Sequence, residues 1–223
     1  KNLECIHFIK TPNDQLPLFN GATTLNLNQI QKYLNDFKPN IKNNNLGGLF
    51  KIKHKNHFLI IDVDKPPQRK FSKSYQSGPL SFEYFLDGVK IVTNSGFGYH
   101  ISKKAELLSR LTACQSTLTV NDTSITEFEK NETISKIFGK SIQNNFKSFD
   151  FFSKNENNLV GCSSSNNGYE KRFGCTHKRE IYLDKENNYL KGKDHIFKTK
   201  DGYPIRYAFR FHINPELNVI KTI

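Results

Sequence analysis

Tryptophan and methionine are both absent from this sequence of 223 residues, and cysteine is rare, with four residues. Nineteen Phe and nine Tyr residues must therefore supply much of the hydrophobic core, together with β-branched residues. This composition favours strands over helices. Because the chain begins at Lys1 and contains no Met, we interpret it as a piece or a processed form of a longer protein.

Long apolar runs are missing as well. The chain has no stretch of about 18 apolar residues that would span a bilayer, and no segment with the basic, apolar and small-residue order of a signal peptide. We therefore expect no membrane span in this chain.

The four cysteines do not follow a metal-binding spacing, because the sequence has no Cys-x-x-Cys pair and no Cys/His set typical of zinc fingers. Cys162 and Cys175 are spaced so that they could face each other across a hairpin. They form either a disulfide, in an oxidising compartment, or a pair of buried free thiols.

Acidic residues are fewer than basic ones. The chain has 21 Asp and Glu residues and 33 Lys and Arg residues, which gives a net charge of +12. The excess indicates either a polyanionic partner or a compositional bias towards Lys. Nucleic-acid-binding proteins usually cluster their basic residues on one element or module, whereas here they are spread along the chain. A nucleic-acid-binding function rests on net charge alone, and we expect no nucleic-acid partner.

Short apolar or alternating runs separated by turn residues follow Gly47 and predict an all-β fold. Asp87-Gly88, between two such runs, is a strong signal for a two-residue hairpin. The spacing is typical of an antiparallel β-sandwich with one or two short helices. Strands are predicted at 48–53, 57–63, 80–86, 89–94, 116–120, 159–163, 177–183, 189–196 and 206–213, with turns at 184–188 and 201–202.

Apolar residues at helical spacing favour a short helix within 25–37, ended by Pro39, and one or two helical turns within 103–111. We expect residues 1–45 to form a linker with the first helix, and residues 46–223 to form the sandwich domain. The last predicted strand runs almost to the chain end, so we expect the domain to be truncated at its C-terminus.

Four ordered blocks carry a family resemblance. The sequence reads FSKSYQSGPLSFE at 71–83, followed by a hairpin and IVTNSG at 91–96, then SRLTACQSTL at 109–118, GYEKRFGCTHKR at 168–179 and RFHINP at 210–215. These blocks resemble the C-terminal β domain of the heparinase II/III family. The family reads H-x-H-x-D-x-L-S-F-E, V-D-x-G or V-N-x-G, R-x-T-A-A-H-S-T-L, G-Y-x-x-x-F-G-x-x-H-x-R and R-F-H-L-H-P in the same order.

The resemblance implies a lyase that cleaves uronic-acid polysaccharides by β-elimination, in which an N-terminal α/α toroid and the β domain face each other across the substrate groove. Such a reaction needs a cation for the uronate carboxylate, a base for the C5 proton and an acid for the leaving oxygen. In the family most of these groups come from the toroid, which this sequence does not contain. An acidic polysaccharide and the toroid are the implied partners, and the implied location is periplasmic or secreted in a bacterium.

Several family positions carry other residues in this chain. The two histidines of the first block fall on Ser74 and Gln76. The aspartate of the family's metal site falls on Asn94, and the His of its A-H-S-T-L block falls on Gln115. Only His177 matches a metal-ligand position. Because one His cannot hold zinc without about three further ligands, we predict no metal, and we expect no cofactor.

The predicted catalytic residues are His177 and Tyr75. His177 either lines the site or donates to a neighbouring carbonyl as a core residue, and Tyr75 either transfers a proton or packs with a solvated hydroxyl. The predicted substrate-binding residues are Gln76, Glu83, Asn94, Arg110, Gln115 and Arg179. Amides bind sugar hydroxyls but are not general bases near neutral pH, and the two arginines either neutralise uronates or pair with acids of the protein.

The sequence therefore predicts the C-terminal domain of a polysaccharide-lyase-like protein. Whether it takes part in catalysis depends on the toroid and on the groups that replace the histidines. The alternative is a catalytically inactive β domain that binds acidic glycans.

Overall fold

The computed structural model describes residues 2–23, 27, 31–36, 43–143, 145–200 and 206–220. Its α-helices are short, and they are α1 (Asn2–Ile9), α2 (Gln31–Asp36), α3 (Lys103–Ser109), α4 (Glu132–Phe138) and α5 (Glu170–Phe173). The strands are β1 (Asn45–Leu46), β2 (Leu49–His54), β3 (His57–Asp62), β4 (Phe82–Leu86), β5 (Val89–Thr93), β6 (Leu118–Val120), β7 (Ser148–Asn155), β8 (Leu159–Asn166), β9 (Cys175–Asp184), β10 (Tyr189–Lys198), β11 (Tyr207–Phe209) and β12 (His212–Ile213).

Three antiparallel sheets organise these strands. The larger sheet has the order β1-β2-β3-β4-β5-β12, the second has the order β10-β9-β8-β7, and β11 pairs with β6 in a separate two-stranded sheet. The predicted all-β, antiparallel fold with few short helices is confirmed. The predicted hairpin at Asp87-Gly88 joins β4 to β5, with both residues at positive φ.

The main core lies between the two larger sheets. The first sheet contributes Phe50, Ile52, Leu59, Ile61, Val63, Phe82 and Val92, and the second contributes Val160, Cys162, Ile181 and Leu183. Burial alternates strictly along β9, so that every second side chain points inwards. This period of two is what a strand with one buried face requires.

The opposite face of the larger sheet is covered by residues 9–22, called here the N-terminal segment. Phe19 and Ile9 pack there against Phe58, Ile60 and Phe85, whose side chains point away from the main core. Consequently β3 is buried on both faces along its whole length, and its sequence is a continuous apolar run that ends in Asp62. A carboxyl group is thereby placed at the end of a strand that is buried along its whole length.

Some elements differ from the sequence prediction. The strands β1 and β7 and the helices α1, α4 and α5 were not predicted. The predicted helix within 25–37 lies only partly inside the described residues, where α2 falls, and the predicted turn at 201–202 lies outside them. The domain boundary between residues 45 and 46 stays a prediction.

The predicted strand 206–213 is divided in the structure. Its first part, β11, pairs with β6, whereas its second part, β12, pairs with β5 of the larger sheet. Between them the Arg210 amide donates to the Thr117 carbonyl, and at the start of β12 the His212 amide donates to Ser116 Oγ. The last strand therefore connects two sheets instead of extending one.

All four cysteines are free thiols, and Cys162 and Cys175 are buried. The structure thus favours buried thiols over a disulfide between these two residues. In the part of the chain that the structure describes, helices long and apolar enough to cross a bilayer do not occur.

Candidate functional site

A cleft of about 370 Å³ opens where the end of β3 meets the block at residues 71–83 and the N-terminal segment. Its polar lining consists of Asn20, Asp62, Asp64, Lys65, Ser74 and Tyr75. Most of its other walls are apolar, and they include Ile9, Leu16, Pro17, Phe19, Leu49, Pro67 and Phe71. A few polar groups that converge in a largely apolar pocket are typical of a ligand site.

Asp62 is held firmly in this cleft by its backbone. Its amide donates to the Ser81 carbonyl and its carbonyl accepts from the Leu80 amide, at 3.0 and 2.9 Å, so the strand end is tied to the 71–83 block. Asp62 is 6% exposed. Burial raises the pKa of this carboxyl to about 7, although hydrogen bonds from the Asp64 amide and the Asn20 side chain act in the opposite direction.

Tyr75 lines the same cleft and is 2% exposed. Burial raises the pKa of its phenol well above the usual value, and the negative charges of Asp62 and Asp64 raise it further. The phenol therefore keeps its proton at neutral pH. The side chain also packs in a buried hydrophobic cluster with Leu118, Val120 and Ile125, so Tyr75 is a core residue at the wall of the cleft.

Ser74 lies beside Tyr75, under the backbone of Gly21. A Cβ atom at Gly21 would lie 2.8 Å from both Cβ and Oγ of Ser74. Gly21 has a φ of +97°, which L side chains rarely adopt. The N-terminal segment thus occupies the space into which a larger side chain at position 74 would extend.

Gln76 and Gln115 form a buried amide network next to the cleft. Gln76 Nε2 donates to the carbonyls of Gly96 and Ser109 at 2.7 and 3.2 Å, and its Oε1 accepts from the Gly21 amide at 3.0 Å. Gln115 Nε2 donates to the Ser109 carbonyl at 2.8 Å. In this arrangement both amides join loops of the protein to one another, and their binding of substrate stays a prediction.

Glu83 and Asn94 are joined to each other and are both buried. Glu83 accepts from Lys90 Nζ at 3.0 Å, from Thr93 Oγ1 at 3.1 Å and from the Asn94 amide at 3.2 Å. Asn94 Oδ1 accepts from the Ser116 amide at 2.9 Å. Asn94 Nδ2 is buried and has no hydrogen-bond partner among the described residues, so its donor is unused.

Arg110 is fully buried, and its guanidinium holds the 71–83 block in place. Its Nε donates to the Tyr75 carbonyl at 3.0 Å and its Nη2 to the Ser72 carbonyl at 2.8 Å, while the group lies 4.3 Å from the ring centroid of Phe128. Burial lowers its pKa to about 10, which leaves the charge present at neutral pH. Arg110 therefore positions the backbone of Tyr75.

Asp194 lies on β10 and contacts both His177 and Arg179 on the neighbouring strand β9. His177 Nε2 and Arg179 Nε each lie within hydrogen-bond distance of Asp194 Oδ1, at 2.7 and 2.8 Å, and Arg179 Nη2 donates to Oδ2 at 3.1 Å. Burial alone would raise the pKa of Asp194, but the hydrogen bonds from His177 and Arg179 lower it to about 2. Burial also lowers the pKa of His177.

Arg179 also ties β9 to the segments that precede β4 and β6, since its Nη1 donates to the carbonyls of Leu80 and Ser116 at 2.7 and 2.8 Å. Its guanidinium lies near the rings of Phe82 and Phe211. With four of its five donors bound within the protein, Arg179 acts as a structural residue in this conformation.

A family model described as heparinase II/III-like, C-terminal, matches residues 38–222. The chain belongs to this family. The predicted family assignment, made on the four blocks between residues 71 and 215, is therefore confirmed.

Solved structures of similar fold agree with this assignment. A heparinase III gene product gives a TM-score of 0.67 at 15% identity, covering 90% of this chain and 32% of that chain. The heparan sulfate lyase HepC from Pedobacter heparinus gives 0.62 at 19% identity, covering 88% and 32%. At such identities the likeness shows the fold alone, and the chain spans about a third of the length of these proteins. No curated protein matches the sequence.

The family's metal site does not fit this chain. Asn94 stands where the resemblance places the metal-site aspartate, and its Oδ1 accepts from the Ser116 amide. Gln76 stands where the first block carries a histidine, and its Nε2 donates to backbone carbonyls. His177 is bound to Asp194, which also receives Arg179. Within the described residues no three His, Cys, Asp or Glu side chains lie together in a way that would hold a metal ion.

The structure separates the two predicted catalytic residues. Tyr75 lines the cleft, whereas His177 is absent from its lining and lies in the cluster with Asp194. The sequence analysis did not select Asp62 or Asp194. Asp62 is visible in the sequence only as the polar end of an apolar strand, and its burial depends on the N-terminal segment that packs over it.

Proposed function

We propose that this chain is the β domain of a polysaccharide lyase that cleaves uronic-acid polysaccharides by β-elimination, and that it closes the substrate groove against an N-terminal α/α toroid. The family match over residues 38–222 carries the proposal. We further propose that the protein works in the bacterial periplasm or outside the cell, where such polysaccharides are found.

The cleft supports this proposal by its position. It opens at Ser74 and Tyr75, in the block where the family carries its histidines. A lyase site needs acid and base groups in a pocket that excludes water, and the cleft offers a buried carboxyl and a buried phenol between apolar walls. The net charge of +12 favours a polyanionic substrate.

The length of the relatives supports the proposed partner. The two described structures are about three times as long as the part that this chain matches. A separate domain that faces the cleft would supply the remaining contacts to the polymer.

The test is an elimination assay on the intact protein. Heparan sulfate, hyaluronan and alginate are incubated with it, and dextran serves as the neutral control. Elimination creates a C4=C5 double bond conjugated to the carboxylate, so absorbance in the ultraviolet should rise with at least one acidic polymer and stay flat with dextran. No rise with any acidic polymer contradicts the proposal.

The second candidate function is acidic-glycan binding without turnover. It is favoured by the loss of titratable groups, because Gln76 and Gln115 stand where the family carries histidines and amides cannot act as general bases near neutral pH. Calorimetric binding of one of these polymers with no ultraviolet signal supports this candidate, and turnover removes it.

A further inference from the structure

We propose that the pocket at the hairpin end of β2 and β3 is a second binding site, in which Lys51, Lys53 and Lys55 hold a sulfate or carboxylate group of an acidic polysaccharide. The pocket has a volume of about 470 Å³, and its lining shares no residue with that of the cleft at Asp62. The class of polymer rests on the proposed function, whereas the site itself is argued from the pocket.

Lysines recur at every second position along β2 and its turn, where the sequence reads KIKHK at 51–55. Lys51 and Lys53 lie opposite Ile60 and Phe58 in the pairing of β2 with β3. Directly paired residues share one face of a sheet, and Ile60 and Phe58 belong to the face on which the N-terminal segment packs. The period of two therefore directs the lysines to that side of the sheet.

The last turn of α1 and the start of the N-terminal segment form the opposite wall of the pocket, through His7 and residues 10–12. Lys51 Nζ donates to the Phe8 carbonyl at 2.8 Å and lies 4.3 Å from the centroid of the Phe8 ring. Lys51 is thereby held half-buried between the sheet and the helix end. The lysines line a concave site and not a flat surface.

The carboxylates that line the pocket are engaged with other groups. Asp14 pairs with Lys10 at 2.6 Å, and Asp87 accepts from Asn56 Nδ2 at 3.0 Å. In the part of the chain that the structure describes, neither carboxylate forms an ion pair with the three lysines of the β2 hairpin. A concave surface lined by charges of one sign concentrates ions of the opposite sign.

The Lys51 ammonium is destabilised by its surroundings. Burial lowers its pKa to about 8, and the charge of Lys53 also lowers it. Most molecules still carry this charge at pH 7. An anion in the pocket would stabilise the ammonium, because a nearby opposite charge favours the charged form.

The turn that carries Lys55 has an unusual backbone. Lys55 occupies the first central position of the two-residue hairpin between β2 and β3, and its φ is +48°. Glycine is usual at such a position, because other side chains rarely adopt a positive φ. The turn is held beside the next hairpin, since the Asp87 amide donates to the Asn56 carbonyl at 3.0 Å. The chain therefore accepts backbone strain at the position that adds the third lysine to the pocket.

The pocket and the cleft lie towards opposite ends of β3. Phe58 lines the pocket and Asp62 lines the cleft, and four residues of a strand span about 13 Å. The N-terminal segment lines both, with Ile9 in the cleft and Lys10 in the pocket. A polymer that occupies the cleft is therefore within reach of the lysines.

The side chains of the pocket favour an acidic polysaccharide over a nucleic acid. Nucleic-acid sites commonly add arginine forks and aromatic rings that stack on bases. Among the described residues that line this pocket there is no arginine, and the Phe58 ring is buried against Phe85. Lysine ammoniums are point charges, which suit sulfate and carboxylate groups without stacking.

The test is a binding titration of the intact protein with heparan sulfate, hyaluronan, dextran and a DNA duplex at about 0.15 M salt. A pocket triple variant carries Lys51→Gln, Lys53→Gln and Lys55→Gln. A control triple variant has the same change in charge on exposed helix residues, with Lys103→Gln, Lys104→Gln and Lys136→Gln. We expect Kd for an acidic polysaccharide to rise about tenfold or more in the pocket triple and less than about threefold in the control.

Chemical labelling locates the site independently of turnover. The bound acidic polysaccharide should protect Lys51, Lys53 and Lys55 from an acylating reagent, as read by mass spectrometry, and should leave Lys103 and Lys104 reactive. If the protein also cleaves the polymer, the pocket triple should raise KM and leave kcat unchanged.

The outcomes separate this inference from the lyase proposal. Binding and protection without turnover support the pocket and contradict the lyase, whereas turnover with an unchanged Kd in the pocket triple overturns the pocket alone. Equal losses in the two triples, or a DNA duplex that binds as tightly and is lost in the same way, also overturn the inference. If the pocket triple does not fold by circular dichroism, the exposed double variant Lys53→Gln, Lys55→Gln replaces it, and a Lys51 that stays unprotected in wild type contradicts the site.

Discussion

The backbone of Gly21 packs against the side chain of Ser74, so closely that a Cβ at Gly21 would lie 2.8 Å from Ser74 Cβ. The contact brings the N-terminal segment over the block in which the family carries its histidines. It also closes one wall of the cleft, which is lined by Ser74, Asn20 and Ala22. The small size of Ser74 and Gly21 is therefore a condition for this cleft.

Gly21→Ala should lower the free energy of unfolding by about 2 kcal/mol or more, because it adds a steric clash to a positive φ. Gly88→Ala is the matched control, since Gly88 also has a positive φ but a Cβ there meets nothing within 4 Å. Urea denaturation measures both. Equal losses in the two variants would show that the contact with Ser74 contributes nothing.

Ser74→His places a histidine where the family carries one, but it should not restore a catalytic site. The imidazole would meet the Gly21 backbone, so we expect a loss of about 1–3 kcal/mol in stability. Thermal unfolding and the elimination rate are the measurements. A variant that is as stable as wild type and more active would contradict the proposed closure of the cleft by Gly21.

Asp194→Asn should be strongly destabilising, because Arg179 would keep its buried charge without a counterion. We expect a loss of about 3–5 kcal/mol at neutral pH. The exposed Asp87→Asn is the control and should be close to neutral, since Asn-Gly forms the same hairpin turn as Asp-Gly. Denaturant midpoints of the two variants decide, and a midpoint for Asp194→Asn that equals wild type would refute the structural role of this cluster.

The pKa of Asp194 also predicts an acid response. Its folded value of about 2 lies below the ordinary value of 3.8, so its contribution is present above the ordinary value and lost as pH falls through about 2. The difference in stability between wild type and Asp194→Asn should therefore shrink towards pH 2. A constant difference from pH 6 to pH 2 would mean that the carboxylate is not the stabilising species.

Asp62 should give the opposite pH dependence. Its folded pKa of about 7 lies above the ordinary 3.8, so the folded state binds the proton more tightly and stability falls as pH rises through this window. The loss from this group is on the order of 4 kcal/mol. Asp62→Asn should abolish this slope between about pH 4 and 8 and be more stable than wild type at the upper end, whereas Asp64→Asn should keep the slope. Equal slopes in wild type and Asp62→Asn would show that Asp62 is not buried as described.

The cysteines should react in order of exposure. Cys5 is exposed, Cys114 is half-buried, and burial raises the pKa of Cys162 to about 12. A thiol reagent followed by mass spectrometry should label Cys5 first and Cys162 only after unfolding. Rapid labelling of Cys162 under native conditions, or its absence after unfolding and without reductant, would contradict the buried free thiol.

The strands whose signals are local could be predicted from the sequence. Asp87-Gly88 fixes its own hairpin, and the alternation of β9 marks its buried face without knowledge of the neighbours. The strand β7 was missed because its pairing with β8 is irregular between Phe149 and Phe152, which breaks the period of two. The division of 206–213 was missed because pairing partners, β6 and then β5, are not encoded in the segment itself.

The candidate site was only partly predictable for the same reason. Tyr75 could be selected because it lies in a family block. Burial raises the pKa of Asp62, and the cleft that holds it is walled in part by Phe19, Asn20 and Ala22, which are distant in sequence and show no pattern that indicates where they pack. Arg179 could be recognised as a candidate cation, but its partner Asp194 is identified only by the pairing of β9 with β10.

The most direct test of the account is the mass of the products that the intact protein releases from a uronic-acid polymer. Elimination leaves an unsaturated terminal residue, so each product should be lighter by one water molecule than the corresponding hydrolysis product and should absorb in the ultraviolet. Products that carry the added water, or no products from any such polymer, would contradict the proposal that this β domain belongs to an eliminating lyase.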